Sequence, residues 1–329
     1  MIFKCRNCGG NVVYSPEKHK MFCPFCESEE SQELQRSSGV ISICPDCGGE
    51  VPVREHTAAV QCPYCSNYLI LDERVEGQYM PKMMIPFQIG KESCKEMLRD
   101  KFKKKVFAPT DFLSEVRLNS IEGDYVPFWF YDYDVNADYQ GEGTKVRSWT
   151  SGNMRYTETS YYDVRRNIDV SFRNIPVDAS VQMPDDVMDL MEPYDYGQLM
   201  DFDPKYMSGF CAEKYNMEAM AVENRARQKM SDDTAALVRE QVSGYSNVRQ
   251  QRNNIQVRGA WQYYGLLPVW KYLYQYNNVE YPFYVNGQTG KIVGTVPISR
   301  KKVLAYACTL GGCLTVIVSC VSVLALLFV

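Results

Sequence analysis

Eight cysteines in the first 65 residues constrain this chain more than any other feature, because one four-cysteine pattern is written out twice at identical spacing. Cys5 and Cys8 are followed after fourteen residues by Cys23 and Cys26, and Cys44 and Cys47 are followed in the same way by Cys62 and Cys65, a period of 39 residues. A Cys-x-x-Cys turn sets two thiolates on one side of a tight loop, and two such knuckles facing each other supply the four soft ligands of a tetrahedral zinc. The first knuckles continue as Gly9-Gly10 and Gly48-Gly49, residues free to take positive φ where the chain turns past the metal. The second knuckles read Cys-Pro-Phe-Cys and Cys-Pro-Tyr-Cys, with Pro24 and Pro63 fixing φ inside the turn. Neither histidine has an equivalent in the other copy, since His19 maps to Ala58 and His56 to Glu17. Four cysteines per site leave no open position for water, so the pattern predicts two structural zinc ions. Disulfides, a rubredoxin-like iron site and plain buried thiols are the competing readings.

The pattern resembles the zinc ribbon, the small three-stranded module of transcription factor IIB and of many RNA-polymerase-associated and membrane proteins. The resemblance places one ribbon at residues 1–32 and a second at 40–72. It implies a fold and not a partner, because ribbons serve nucleic-acid and protein contacts alike.

The other five of the thirteen cysteines are scattered: Cys94 and Cys211 singly, and Cys308, Cys313 and Cys320 in a C-terminal apolar stretch. Eight ligands among thirteen argue for a reducing cytosol around the ribbons. The first ribbon begins at once, which leaves no room for a signal peptide. Val303 to Val329 is a run of 27 residues without a charge or a proline, longer than the ~20 that a helix needs to cross a bilayer. Arg300, Lys301 and Lys302 precede it, so the positive-inside rule places the bulk of the protein in the cytoplasm. The expected arrangement is a tail anchor in the cell membrane, with a transmembrane helix over 303–325. Ala307, Gly311, Thr315 and Ser319 recur every fourth residue, a small strip through which two copies would pair as a homodimer.

Glu27 to Gly39 carries four glutamates and little apolar content, which predicts a linker that leaves the ribbons loosely coupled. Asp72 to Tyr79 reads as a second polar connector. Residues 80–298 read as one α+β middle domain, with an antiparallel sheet and helices. Strands are expected over 85–89, 125–138, 161–172, 267–276, 280–285 and 291–296, the last two closing a hairpin through Asn286-Gly-Gln-Thr-Gly290. Helices are expected over 91–105, over 184–193, and as one long or two shorter segments over 210–244, with Ser231 as a candidate restart. The first has an apolar stripe of Cys94, Met97, Leu98 and Phe102. Its other face, Lys91, Lys95, Arg99 and Lys103, is either solvated or a dock for phosphates or anionic lipid.

Pro127-Phe-Trp129-Phe-Tyr131-Asp-Tyr133 returns 141 residues later as Pro268-Val-Trp270-Lys-Tyr272-Leu-Tyr274. On strands, period two puts the Trp and both Tyr of each copy on one face, either packing a sheet against helices or lining a ligand groove. Ile85-Pro86-Phe87, Tyr125-Val-Pro-Phe-Trp-Phe130, Glu192-Pro-Tyr-Asp-Tyr196, Gly209-Phe210, Glu213-Lys-Tyr215 and Val285-Asn-Gly-Gln-Thr-Gly290 together look like a family of bacterial zinc-ribbon membrane proteins of uncharacterised function. That resemblance implies architecture and location, and no activity.

Two histidines, both in ribbon loops, remove the commonest general base, and no P-loop, dinucleotide turn or zinc-protease helix is present. Asp132-x-Asp134 and Asp201-x-Asp203 are weak candidates for a divalent cation. No enzyme is expected. Residues 1–70 hold six Lys/Arg against eight Asp/Glu, net −2, and two zinc tetrathiolates bring this to −6. An acidic surface cannot drive counterion release from a phosphate polyanion, so a protein partner is favoured over nucleic acid. Chelation is expected to unfold each ribbon while the middle domain persists, since about 30 residues bury too little core to stand alone.

Overall fold

A computed structural model describes residues 1–36 and 43–327. Residues 37–39 of the expected linker and 40–42 of the expected second ribbon lie outside the described residues. The strands are β1 Ile2–Cys5, β2 Val13–Ser15, β3 Lys20–Phe22, β4 Gln32–Gln35, β5 Thr57–Gln61, β6 Tyr68–Ile70, β7 Met83–Met84, β8 Glu122–Ser151, β9 Met154–Asp178, β10 Met200–Asp201, β11 Cys211–Glu213, β12 Asn247–Tyr276, β13 Val279–Asn286 and β14 Ile292–Gly294. The helices are α1 Lys91–Phe102, α2 Glu115–Leu118, α3 Asp185–Met191, α4 Ala219–Gln241 and α5 Arg300–Leu327. The class is α+β, dominated by sheet.

Ten strands form one sheet built on the antiparallel pair β8 and β12, each 30 residues long. Such a strand spans roughly 100 Å at about 3.4 Å per residue. β9 pairs with β8 along its outer edge, and β13 and β14 extend the sheet beyond the C-terminal half of β12. The sheet is antiparallel except where β7 joins β12 and β11 joins β8 in parallel.

The expected strands over 125–138 and 161–172 are the inner parts of β8 and β9, and the segments 139–151, 154–160 and 247–266 are also strand. Residues 85–89 are not strand; only Met83–Met84 pairs there. Ser231 does not restart a helix: α4 runs through it unbroken, and its side Val222, Ala226, Met230, Thr234, Val238 is buried. That stripe packs against Tyr131, Tyr133 and Val135 of β8 and Ile175 and Val177 of β9, with Ala137, Tyr139 and Val164 further along.

Both aromatic ladders lie on this same face of the sheet, because Trp129 stands opposite Tyr264 and Trp270 opposite Gly123, and directly opposed residues share a face. Each ladder packs, and most of its polar tips are satisfied. Trp129 Nε1 donates to Met217 O (2.8 Å), Trp270 Nε1 to Ile89 O (2.8 Å), Tyr272 to Phe112 O (2.6 Å) and Tyr274 to Asp111 Oδ1 (2.8 Å). Tyr131 donates to Ala219 O and stacks on Tyr133.

The ribbons are not loosely coupled. β5 of the second ribbon pairs with β11, so its hairpin β5–β6 extends the large sheet. In the first, Tyr14 N donates to Ser208 O (2.8 Å), the Ser208 hydroxyl donates to Val12 O, and the Tyr14 ring meets Tyr206 edge-on at 4.9 Å. Phe3, Val12, Tyr14 and Met21 share one buried cluster with Phe87, Tyr125, Phe210 and Trp270. Nor is the whole of 27–39 a linker: β4 pairs antiparallel with β1, an edge strand whose side chains are mostly exposed. Main-chain pairing asks for no apolar side chains, which is why composition did not reveal it.

Candidate metal centres

All four Cys-x-x-Cys turns have the same backbone. The amide of the first cysteine donates to the carbonyl five residues on (Cys5 to Gly10, Cys23 to Ser28, Cys44 to Gly49, Cys62 to Asn67), and the amide four residues on donates back to that cysteine's carbonyl. This closed turn requires positive φ at the returning residue, which is Gly9 (73°) and Gly48 (72°) in the first knuckles, and Glu27 (59°) and Ser66 (61°) in the second. The fold brings the eight predicted cysteines together as two groups of four, Cys5, Cys8, Cys23, Cys26 and Cys44, Cys47, Cys62, Cys65, with all sulfurs of a group within 4.8 Å. Neither group includes a histidine.

The spacing of the sulfurs tests the metal. Cys5 and Cys26 are 3.7 Å apart and Cys8 and Cys23 3.6 Å; Cys44–Cys65 and Cys47–Cys62 are both 3.7 Å. A tetrahedron with Zn–S bonds of ~2.3 Å has an edge of about 3.8 Å. A disulfide would bring the sulfurs to about 2.05 Å, and all eight thiols are free. Each group could therefore hold one metal ion, and the set suits two zinc ions. One cysteine of each knuckle is deeply buried (Cys5, Cys23, Cys44, Cys62), so either metal would sit at the edge of a core.

The two centres differ in their surroundings. Ser28 Oγ lies 3.1 Å from Cys5 Sγ and 3.2 Å from Cys26 Sγ, and this hydrogen bond holds the Cys5 thiol down to about 6 and lowers that of Cys26, favouring the thiolates a metal needs. The equivalent residue in the second ribbon, Asn67, donates instead to Asp46, which also pairs with Lys4 of the first ribbon. The Lys4–Asp46 bridge ties the two ribbons to each other.

Phe25 and Tyr64 also occupy equivalent places and are 72% and 70% exposed. Each ring lies against the second glycine of the facing knuckle: a Cβ on Gly10 or Gly49 would stand 2.5 Å from the ring. The sequence signal was the matched aromatic between proline and the last cysteine of each copy.

A second polar cluster lies beside the second ribbon and had no sequence signal. Lys271 of β12 reaches Asp124 of β8 and, at 3.3 Å, Glu213 of β11. Asp124 is 6% exposed, its Oδ1 has no hydrogen-bond partner, and burial raises its carboxyl to about 6. The two Asp-x-Asp pairs are not brought together as a cation site. Asp132 accepts from Asn174 N (2.8 Å), Asp134 from Ser171 (2.6 Å) and Arg173 (2.8 Å), and Asp203 caps a short helical turn through Lys205 N (3.0 Å).

Among the described residues, α5 is the one helix long and apolar enough to cross a membrane. Over Arg300–Val318 none of its described side chains is buried inside the protein, unlike those of a core helix. Ser319, the last member of the small strip, lies outside the described side chains.

No family model matches the chain, and no solved structure matches it. Over 320 residues it is 38% identical to a protein of Bacillus subtilis (strain 168) described as "Uncharacterized protein YdjG", an alignment covering 94% of each chain. With an alignment that spans nearly the whole of both chains, the chain belongs to the family of YdjG.

Proposed function

We propose that the protein is a membrane-anchored, cytoplasm-facing zinc protein whose paired ribbons present Phe25 and Tyr64 to a protein partner. The carrying observation is the exposure of these two rings at equivalent positions. A single exposed aromatic is ordinary, but two held by the same turn on rigid knuckles have the form of interface anchors, which are enriched in Tyr and Phe and cost little ordering entropy. Zinc supports the knuckles, and the middle sheet supports the ribbons. The segment's charge, −6 with both metals, favours a protein over a nucleic acid. The role is non-enzymatic, and self-association through the small strip of α5 would double the number of rings presented.

Photo-crosslinking from positions 25 and 64 in the native membrane tests this reading. The expected product is a protein adduct, and co-purification of that protein is expected to be lost in Phe25→Ala/Tyr64→Ala with both zinc ions retained. Recovery mainly of nucleic acid would instead support a tethered nucleic-acid-binding role.

A further inference from the structure

The basic face of α1 anticipated from sequence is largely taken. Lys95 is 4% exposed and donates to Glu92 (2.7 Å), Glu115 (3.1 Å) and Asn119 (2.7 Å); Arg99 pairs with Glu115, Lys91 donates to Asn119 O (2.8 Å), and Lys103 pairs with Asp100 (2.8 Å). The remaining lysines of the segment lie elsewhere. Lys101, Lys104 and Lys105 border an open cleft of about 580 Å³ between the end of α1 and residues 294–298, with no carboxylate in its lining. Lys104 and Lys105 form no ion pair among the described residues. Lys101 donates only to a carbonyl, Ile292 O, and its proton affinity is lowered by burial and by Lys291, which marks a place short of negative charge.

The cleft is amphipathic and adjoins α5. Val106 is 74% and Ile298 65% exposed on its rim. Ser299 N donates to Phe107 O (2.8 Å), and the Phe107 ring meets Tyr306 of α5 edge-on at 5.5 Å, so the cleft is tied to the first turns of the apolar helix. Arg300, Lys301 and Lys302 add three cations at that junction.

We propose that this cleft seats the head group of an anionic phospholipid, its phosphate against Lys101, Lys104 and Lys105 and the start of an acyl chain along Val106, Phe107 and Ile298. Uncompensated cations beside an exposed apolar rim fit a phosphodiester joined to hydrocarbon better than they fit free phosphate, and a position beside a spanning helix puts the cleft at head-group depth. The proposal rests on the reading of α5 as a membrane helix. Its consequence is that α5 and the sheet would be held in one orientation at an anionic leaflet rather than joined by a free hinge.

The test uses the full chain reconstituted in nanodiscs of phosphatidylcholine with a minority of phosphatidylglycerol, extracted gently, with retained lipid measured by mass spectrometry. Enrichment of phosphatidylglycerol above its bulk share is expected, resisting excess inorganic phosphate and falling at least about fivefold in Lys104→Gln/Lys105→Gln. The matched double variant Lys18→Gln/Lys20→Gln should leave it unchanged. Absence of enrichment, equal enrichment in the two double variants, or displacement by inorganic phosphate would overturn the proposal while α5 still resists alkaline extraction. Release by alkaline extraction would overturn the membrane reading together with it.

Discussion

The amide of Tyr14 donates to the carbonyl of Ser208 across 194 residues of sequence, joining the first ribbon to the loop that leads into β11. Its consequence is thermodynamic. Metal binding that holds the ribbon also holds a wall of the main core, so chelation should lower the principal melting transition instead of removing a small separate one. Calorimetry of the holo protein and of chelator-treated protein decides this. A large transition left in place after metal loss would restore the independent domains expected from composition.

Two metals per chain are expected, and the two sites should be separable. Cys23→Ala and Cys62→Ala each remove one sulfur of a group whose members lie within 4.8 Å, and each should reduce elemental zinc from about two to about one per chain. Iron in place of zinc, or loss of both ions in either variant, would contradict this.

The Asn286–Gly290 turn is expected to act as a buried lock. Asn286 is fully buried; its Oδ1 accepts from Gln288 N and Thr289 N (both 2.9 Å), and its Nδ2 donates to Met191 O (3.1 Å). Asn286→Ala strands two amides and a carbonyl, and should cost about 3 kcal/mol in chemical denaturation. A loss under ~1 kcal/mol would show that the turn relaxes to find other partners.

What was legible in the sequence follows how local the cause is. The knuckles were, because a metal imposes its geometry through spacing within a few residues of Cys5 or Cys62. The aromatic ladders were, because Trp129, Tyr131 and Tyr133 sit at period two beside a helix. The docking of the ribbons was not: it depends on three residues of β11 and on backbone bonds such as that of Tyr14, which carry no compositional mark. The outer half of the long strands was missed for a related reason. Past Glu142 both faces of β8 are largely exposed, so the alternation that identifies a half-buried strand fades.

Asp124 should give stability a pH dependence of unusual sign. Its folded pKa of about 6 lies above the ordinary 3.8, so the native state holds this proton more tightly than the unfolded chain. The contribution is fully present below pH ~4 and is lost as pH rises through about 6. Asp124→Asn should therefore flatten the difference in unfolding free energy across that window, an effect on the order of 2 kcal/mol. Parallel curves for the two proteins would show that Lys271 already keeps the carboxylate ionised.

The long arm formed by β8, β9 and β12 depends on α4 for its order. From Asp132 onward its second face is mainly polar, with Asp134, Asn136, Asp138, Gln140 and Glu142 alternating with the residues that α4 covers, so apolar burial comes from the helix side alone. β12 stops pairing at Asn247 opposite Thr144, and residues 145–160 continue as two strands only. A two-stranded hairpin is marginal by itself in water, so order at the tip is inherited from the three-stranded part below it. Met230, buried midway along α4 against the Tyr131–Val135 segment, is the place to test that inheritance. Met230→Asp sets an unpaired charge in this interface and should cost at least about 3 kcal/mol. Hydrogen exchange should then show lost protection over 133–170 and 247–258, while 122–130 and 267–276, held by the opposite layer around Val126, Phe128 and Leu267, keep theirs. Uniform loss across both regions would mean that arm and base unfold as one unit. Replacing 146–159 with a short turn should leave the melting temperature unchanged, because nothing in the core rests on the tip.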